Sequence, residues 1–325
     1  MAMKPTVSDA EFIELWNNTG SATEIQKLIG GNIRTIQRRR TTLELRHNVK
    51  LEAKNLGGSA PRPDRTPVFA YERYQLGILN GTVLVFSDAH FWPGIRTTAF
   101  DGLLWAINEF SPQAVICNGD ALDGASISRH PPSGIGHKEP SVIEELKACQ
   151  AALGEIEEAA KKARHNVKLM YTWGNHDARF NARLASNAPQ FAETFGFRLQ
   201  DHLPDWEFCM SCWPTPDVVV KHRFKGGVHA THNNASASGK TVVTGHLHSL
   251  KVTPFADYNG NRFGVDTGTL AEPYGPQFSY GEDNPLNHRS GFAVLSFIDG
   301  KLLWPELVHK WADGQVEFRG KIINV

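Results

Sequence analysis

Hydrophobic positions in the first fifty residues recur at helical spacing. Phe12, Ile13, Leu15 and Trp16 follow Ser8, which can cap a helix, and Asn17-Asn18-Thr19-Gly20 reads as its stop, with Gly20 suited to left-handed backbone. Ser21 and Glu24 form a capping-box pair ahead of an apolar face of Ile25, Leu28 and Ile29. Gly30-Gly31 makes a tight turn. Asn32 then caps a third helix, predicted to carry Ile33, Ile36 and Leu43 inward and Arg34, Arg38, Arg39 and Arg40 outward.

From about Tyr71 the pattern changes. Residues 82–86, 114–117, 167–172, 217–221 and 241–244 are short apolar runs rich in strand-forming residues. Between them, residues 99–110 repeat Phe100, Leu103, Leu104 and Ile107 at helical spacing. Pro140 opens a long helix to about Ala163, with Ile143, Leu146, Leu153 and Ile156 inward. Later strands are joined by the turn dipeptides Asn259-Gly260, Asp299-Gly300 and Asp313-Gly314. Strands alternating with helices, then mostly strands, predict a layered α/β sandwich. Residues 55–67 contain Gly57-Gly58-Ser59-Ala60-Pro61-Arg62-Pro63 and have linker composition. The layout expected is a helix-turn-helix-like domain at 1–50, a linker at 51–70 and a main domain at 71–325. The three amino-terminal helices resemble a helix-turn-helix unit. Contact with nucleic acid through Arg34, Arg38, Arg39 and Arg40, and a plain assembly module with solvated arginines, both remain open.

Composition narrows the class. With 34 Lys plus Arg against 34 Asp plus Glu the net charge is zero, so attraction to a polyanion has to come from a local patch. No apolar run reaches the roughly 18 residues of a membrane span, and no signal peptide is expected at the polar start. The four cysteines, Cys117, Cys149, Cys209 and Cys212, give a single Cys-x-x-Cys without a second pair or zinc-finger histidines, so they read as structural. The lack of a disulfide framework fits a reducing cytoplasm.

The chemistry sits where strands end. Asp88-Ala89-His90, Gly119-Asp120-Ala121-Leu122-Asp123, Gly174-Asn175-His176-Asp177 and Gly245-His246-Leu247-His248 each follow an apolar run. In open α/β sheets such ends converge on one edge. Asp, Asn and His are the donors a two-metal site needs: a shared carboxylate, mixed oxygen and imidazole ligands, and a proton donor for the leaving oxygen. Four such motifs in this order resemble the calcineurin-like metallophosphoesterase superfamily, firmly over about residues 83–248 and loosely beyond.

The resemblance implies a four-layer α/β/β/α sandwich. It also implies Asp88, His90 and His248 around a first metal, Asp120 shared, and Asn175 and His246 on a second. His176 matches the proton donor and Asp177 the residue that orients it. Asp177 can equally be a turn residue bonded to the loop backbone. Asp123 can support the site or cap the next helix. A further ligand is expected at a strand end, where His222 fits, with His229 as runner-up and a candidate substrate contact. Arg179 can clamp a phosphate or form a surface pair. Phe91 and Trp92 can stack on a base or pack in the core.

The implied reaction is hydrolysis of a phosphoester with two divalent ions. Manganese suits the donor set best, with iron, zinc or a mixed pair also compatible. The basic helical unit and the linker resemble phage-type nuclease members of the superfamily, making DNA the expected partner. Two alternatives stand. One is a phosphomonoesterase or small-nucleotide phosphodiesterase with the helices used for assembly. The other is a DNA-binding regulator with an idle phosphoesterase domain. Oligomeric state is not legible.

Overall fold

The computed structural model describes residues 7–53, 73–129, 138–191, 194–281, 284 and 286–325. The expected linker at 55–67 lies outside the described residues. The chain divides into two compact units, Met1–Ala70 and Tyr71–Val325. Among the described residues no helix is long and apolar enough to cross a membrane.

The first unit is three helices, α1 (Asp9–Thr19), α2 (Ala22–Ile29) and α3 (Ile33–His47). Ser8 and Glu11 close a capping box on α1, and Gly20 ends it in left-handed backbone at φ 62°. The side chains of Ser21 and Asn32 accept from Glu24 N and Arg34 N to start α2 and α3. Phe12, Trp16, Ile25, Ile36, Leu43 and Leu51 form the core. The Trp16 indole donates to the Glu52 carbonyl at 3.1 Å, so residues 51–52, assigned to the linker by sequence, complete the helical packing.

Three expectations for this unit need correction. Leu28 is 62% exposed and Ile33 37%, because three short helices bury only a narrow stripe. Arg39 and Arg40 do not point freely outward. Arg39 lies over the Phe12 ring and donates to Val7 O and Asp9; Arg40 lies over Trp16 and pairs with Glu44. Their apolar stems roof the aromatic core while their charges are satisfied within the unit. Arg34 and Arg38 are exposed, with no ion pair among the described residues.

The second unit begins with β1 (Arg73–Gln75), β2 (Gly81–Phe86), α4 (Thr98–Phe110), β3 (Ala114–Cys117), α5 (Val142–Ala163), β4 (Lys168–Thr172) and α6 (Asp177–Asn187). It continues with β5 (Glu207–Cys209), β6 (Ser211–Thr215), β7 (Val218–Val220), α7 (Ala230–Ser238), β8 (Thr241–Thr244), β9 (Lys251–Asp257) and β10 (Gly260–Asp266). It ends with β11 (Gly291–Ile298), β12 (Lys301–Leu302), β13 (Glu306–Ala312), β14 (Gln315–Phe318) and β15 (Lys321–Asn324).

Two sheets result, ordered β15-β14-β13-β11-β2-β3-β4-β5, with β12 beside β11, and β1-β6-β7-β8-β10-β9. Strands β2 to β5 run parallel, as do β7, β8 and β10. The central strands are apolar throughout because both faces are covered. Val83, Val85, Ala114, Ile116 and Met170 meet Cys212, Val218, Val220, Val243 and Val265 between the sheets. The alternate residues Leu84, Phe86, Val115, Cys117 and Leu169 pack against Leu103 and Ile107 of α4 and Leu146, Leu153 and Ile156 of α5. On the far side α7 approaches β10 so closely that a side chain at Gly264 would meet the Thr231 carbonyl. The order of layers is therefore α/β/β/α.

The expected Asn-Gly and Asp-Gly turns join β9 to β10, β11 to β12 and β13 to β14. Ile143, expected inward, is 56% exposed, because it lies in the first turn of α5, ahead of the stretch that packs on the sheet.

Candidate metal centre

The parallel strands end on one edge, and the chain leaves them in strained backbone. Asp88, His90, Asp120, His246 and His248 all have positive φ, between 40° and 70°. Side chains other than glycine rarely tolerate this, and such strain clusters where geometry is functional. The neighbouring glycines are there for contact. A Cβ at Gly174 would lie 2.1 Å from Asp120 Oδ1, and one at Gly245 would lie 2.4 Å from Asp88 Oδ2. Their absence lets the motifs interlock: His176 N donates to Asp120 Oδ1 at 2.7 Å and His246 N to Asp88 Oδ2 at 2.8 Å.

Two donor clusters stand out. Asp88, His90 and His248 form one; Asp120, His222 and His246 form the other, with the ligand atoms of each within 4.8 Å of one another. His248 Nε2 is 3.0 Å from Asp88 Oδ1. His222 Nε2 is 3.0 Å from Asp120 Oδ2 and 3.2 Å from Asn175 Oδ1, which brings Asn175 to the second cluster. His222 Nδ1 faces the Asn118 carbonyl at 2.8 Å and donates there, which leaves Nε2 to accept a cation.

Two observations fit these clusters to metal ions. His90 Nε2 is fully buried with no hydrogen-bond partner, although a buried polar atom normally has one. The electrostatics also call for positive charge. Burial works against the charged form of Asp88, yet the neighbouring His248 and His222 hold it down to about 2. Asp120 is also held far below the ordinary carboxylate range, by His222 first against the penalty of burial. Burial opposes charge on His222, but Asp120 and Asp88 push it up to about 10. Buried carboxylates that hold a proton on an imidazole would exchange it for a divalent cation. The site thus carries the donor set of a binuclear metal centre.

A third cluster joins His176, Asp123 and His90. Asp123 Oδ1 is 2.8 Å from His90 Nδ1 and 3.1 Å from His176 Nδ1, and the Asp123 carbonyl is 2.8 Å from His176 Nδ1. Burial disfavours charge on His176, but the bond to Asp123 and the charges of Asp120 and Asp123 raise its pKa. Arg179 donates to Asp123 O at 3.0 Å, and its other nitrogen lies 3.1 Å from His176 Nε2, so it is bound into the site rather than paired at the surface.

This geometry corrects the role expected of Asp177. Its carboxylate accepts from Asp120 N, Leu122 N, Gly174 N and the Tyr171 hydroxyl and is fully buried. It ties two loops together, and orientation of His176 falls to Asp123. His229 stands apart from both clusters, exposed at the N-terminus of α7. His232 is a ring contact of Phe255. The four cysteines are free and buried, outside every metal-competent group among the described residues. Phe91 packs edge-on to Phe100 in the core, and Trp92 lines a cavity of about 300 Å³ behind His90.

Sequence reasoning missed four supports. His288 Nδ1 is 3.3 Å from His248 Nδ1, and Phe278 packs against both His90 and His248. Burial and the charge of His248 lower His288 to about 4, so it stands as a neutral ring beside His248. Asp266 accepts from Ser249 N, Leu250 N and Gly268 N and so fixes the turn after His248. Glu145 accepts from Gly124 N and Ala125 N beside Asp123. A strand-end rule points to Asp266, the last residue of β10; nothing in the local sequence marks the other three.

Comparison with known proteins is consistent with this geometry. Among solved structures, a single mutant of Vps29 from Entamoeba histolytica is 16% identical, with a TM-score of 0.37, covering 75% of this chain and 99% of that one. Vps29 from Chaetomium thermophilum is 9% identical, with a TM-score of 0.37 and coverage of 75% and 96%. The nuclease MPE from Pseudomonas putida is 16% identical, with a TM-score of 0.31 and coverage of 69% and 86%. These likenesses are too distant to bear on activity. No curated protein matches the sequence. The model of the calcineurin-like phosphoesterase domain matches residues 81–266, a span that holds all four strand-end motifs. The chain is therefore a member of the calcineurin-like phosphoesterase family.

Proposed function

We propose that the chain is a two-metal phosphodiesterase that cleaves DNA. The observation that carries the reaction class is the meeting of the two donor clusters with His176 on one sheet edge. Asp88, His90 and His248 would hold one ion; Asn175, His222 and His246 would hold the other, with Asp120 shared. When bound, such ions polarise the phosphoryl oxygens and activate the attacking water. The protein's own part is positioning and proton handling. Asp123 fixes the His176 ring by its Nδ1 and, with Asp120, raises its pKa, which favours the protonated ring that a donor to the leaving oxygen needs. Arg179 has to release Nε2 for that transfer, which leaves its guanidinium free to take a phosphoryl oxygen. Mixed oxygen and imidazole ligation favours manganese, with iron and zinc as competitors.

DNA as substrate is supported by the amino-terminal helices and the exposed Arg34 and Arg38 on α3. The test is to incubate manganese-loaded protein with linear and circular DNA, single- and double-stranded, beside a chromogenic diester and monoester. Chelator-sensitive cleavage of DNA and of the diester is expected. Turnover confined to the monoester would replace this reading with a phosphomonoesterase, and no turnover with any metal would leave a binding protein.

A further inference from the structure

A second set of charges lies beside the metal centre and supplies it no ligand. The chain leaves β7 as Lys221-His222-Arg223-Phe224-Lys225, so the ligand-competent His222 is flanked by basic residues. Phe224 is 42% exposed, and the Lys221 and Lys225 ammonium groups lie 5.3 and 5.2 Å from its ring centre. The turn is anchored rather than loose: Lys225 N donates to the buried Asn234 Oδ1, and Lys251 donates to the Val228 carbonyl at the far end.

The register across the smaller sheet extends the set. Arg73 on β1 pairs with Ser211 on β6, and Cys212 next to it pairs with Val220, the residue before Lys221. Arg73 and Lys221 therefore fall in one row, on either side of Ser211, and the Arg73 guanidinium lies 5.5 Å above Trp213. Lys240 approaches the same ring at 5.9 Å while pairing with Asp217. Cations gathered on the exposed Phe224 and the half-buried Trp213, in a chain of zero net charge, are a local feature of this face of the smaller sheet.

We propose that Arg223, Phe224, Lys225, Lys221, Arg73 and Trp213 form a track for single-stranded nucleic acid leading away from the metal centre, a proposal that rests on the nuclease reading above. Lysine and arginine follow the phosphates. Phe224 offers its face to an unstacked base, which a duplex does not present, and any base can occupy it. A track of this kind gives the site a strand preference without sequence preference.

The experiment measures anisotropy of a labelled, hydrolysis-resistant phosphorothioate oligothymidylate on the metal-loaded full chain across a salt series. A duplex of equal length and polyglutamate serve as competitors. Phe224→Ala is expected to weaken the single strand about tenfold with little effect on duplex, and Phe224→Trp to restore it. Lys225→Ala is expected to flatten the salt slope by about 0.7. Thermal melting of each variant controls for folding. Equal binding by Phe224→Ala and the parent overturns the track, as does polyglutamate competing as well as the oligonucleotide at equal charge. Phe224-dependent binding without cleavage of any DNA keeps the track and removes the nuclease reading. Cleavage of single strands that is indifferent to Phe224 does the reverse.

Discussion

The two halves of the metal centre are built differently. Around Asp88, His90 and His248 the protein is closed. His90 and His248 are buried, Phe278 packs on both rings, and His288 and Asp123 take their outer nitrogens. Around Asp120, His222 and His246 only the first two residues are buried. Asn175 and His246 are half-buried, and the chain beyond His222 runs exposed from Arg223 to His229. A dry half with every imidazole held in one orientation suits retention of an ion. A half open on one side suits arrival of substrate. Ligand identity alone does not reveal this division; it comes from what lies behind each ligand.

The largest effects are expected from the carboxylates. Asp120→Ala removes the group assigned to both ions, so turnover is expected to fall to background and metal content to drop by more than with Asp88→Ala. Elemental analysis of manganese-loaded variants checks the order. Equal loss of a single ion from both variants would show that Asp120 serves one half only. Next is His176→Ala, expected to keep its metals and lose about 10²–10⁴-fold in turnover. The loss should shrink for a diester with a good leaving group, which needs no proton. Equal losses on good and poor leaving groups would move His176 from proton donor to charge stabiliser.

The sequence exposed the ligands because their motifs follow strands directly, and three of the four, at Gly119, Gly174 and Gly245, add a glycine to the polar residues in a short stretch. Asp88 through His248 match the family's motifs position by position, and His222 fits the strand end at which the family places a further histidine, with His229 as the runner-up. What stayed hidden depends on distant packing. His288 precedes β11 and is brought to His248 by the sheet order, forty residues away in sequence. Helix α7 gives no periodic signal because its buried face is Ala230, Thr231, Asn234 and Ala235, small or polar residues without apolar periodicity. The arginines of α3 were read as one outward face. The structure divides them, since Arg39 and Arg40 reach back over Phe12 and Trp16.

The contrast between the halves sharpens with their supports. His288→Ala is expected to weaken retention of one ion by about 10–100-fold, the usual range for a residue that holds a ligand in orientation. The second ion should stay close to its parental affinity. Asp123→Asn, which touches both His90 and His176, is expected to combine weaker retention with a leaving-group-dependent loss of turnover. Metal titration followed by calorimetry separates the two variants. If His288→Ala loosens both ions alike, the closed half is not an independent unit.

The smallest effect is expected in the other unit, on α3. Arg34 and Arg38 are its exposed arginines without an ion pair among the described residues. If both touch phosphates of duplex DNA, replacing them by Ala flattens the dependence of log affinity on log salt by about 1.8, since each contact contributes about 0.9. Affinity at moderate salt then falls only several-fold, because two contacts are a small share of a typical footprint. Arg39→Ala with Arg40→Ala should behave differently. Those side chains are paired with Asp9 and Glu44 and cover aromatic rings, so their loss lowers the melting temperature of the helical unit and leaves the salt slope nearly as it was. DNA affinity over a salt series and melting by circular dichroism, measured on both double variants, distinguish the two pairs. A salt slope that follows Arg39 and Arg40 instead would mean that these residues leave their internal partners on binding. An unchanged slope in both variants would remove the helical unit from DNA recognition and leave substrate choice to the open half of the metal centre.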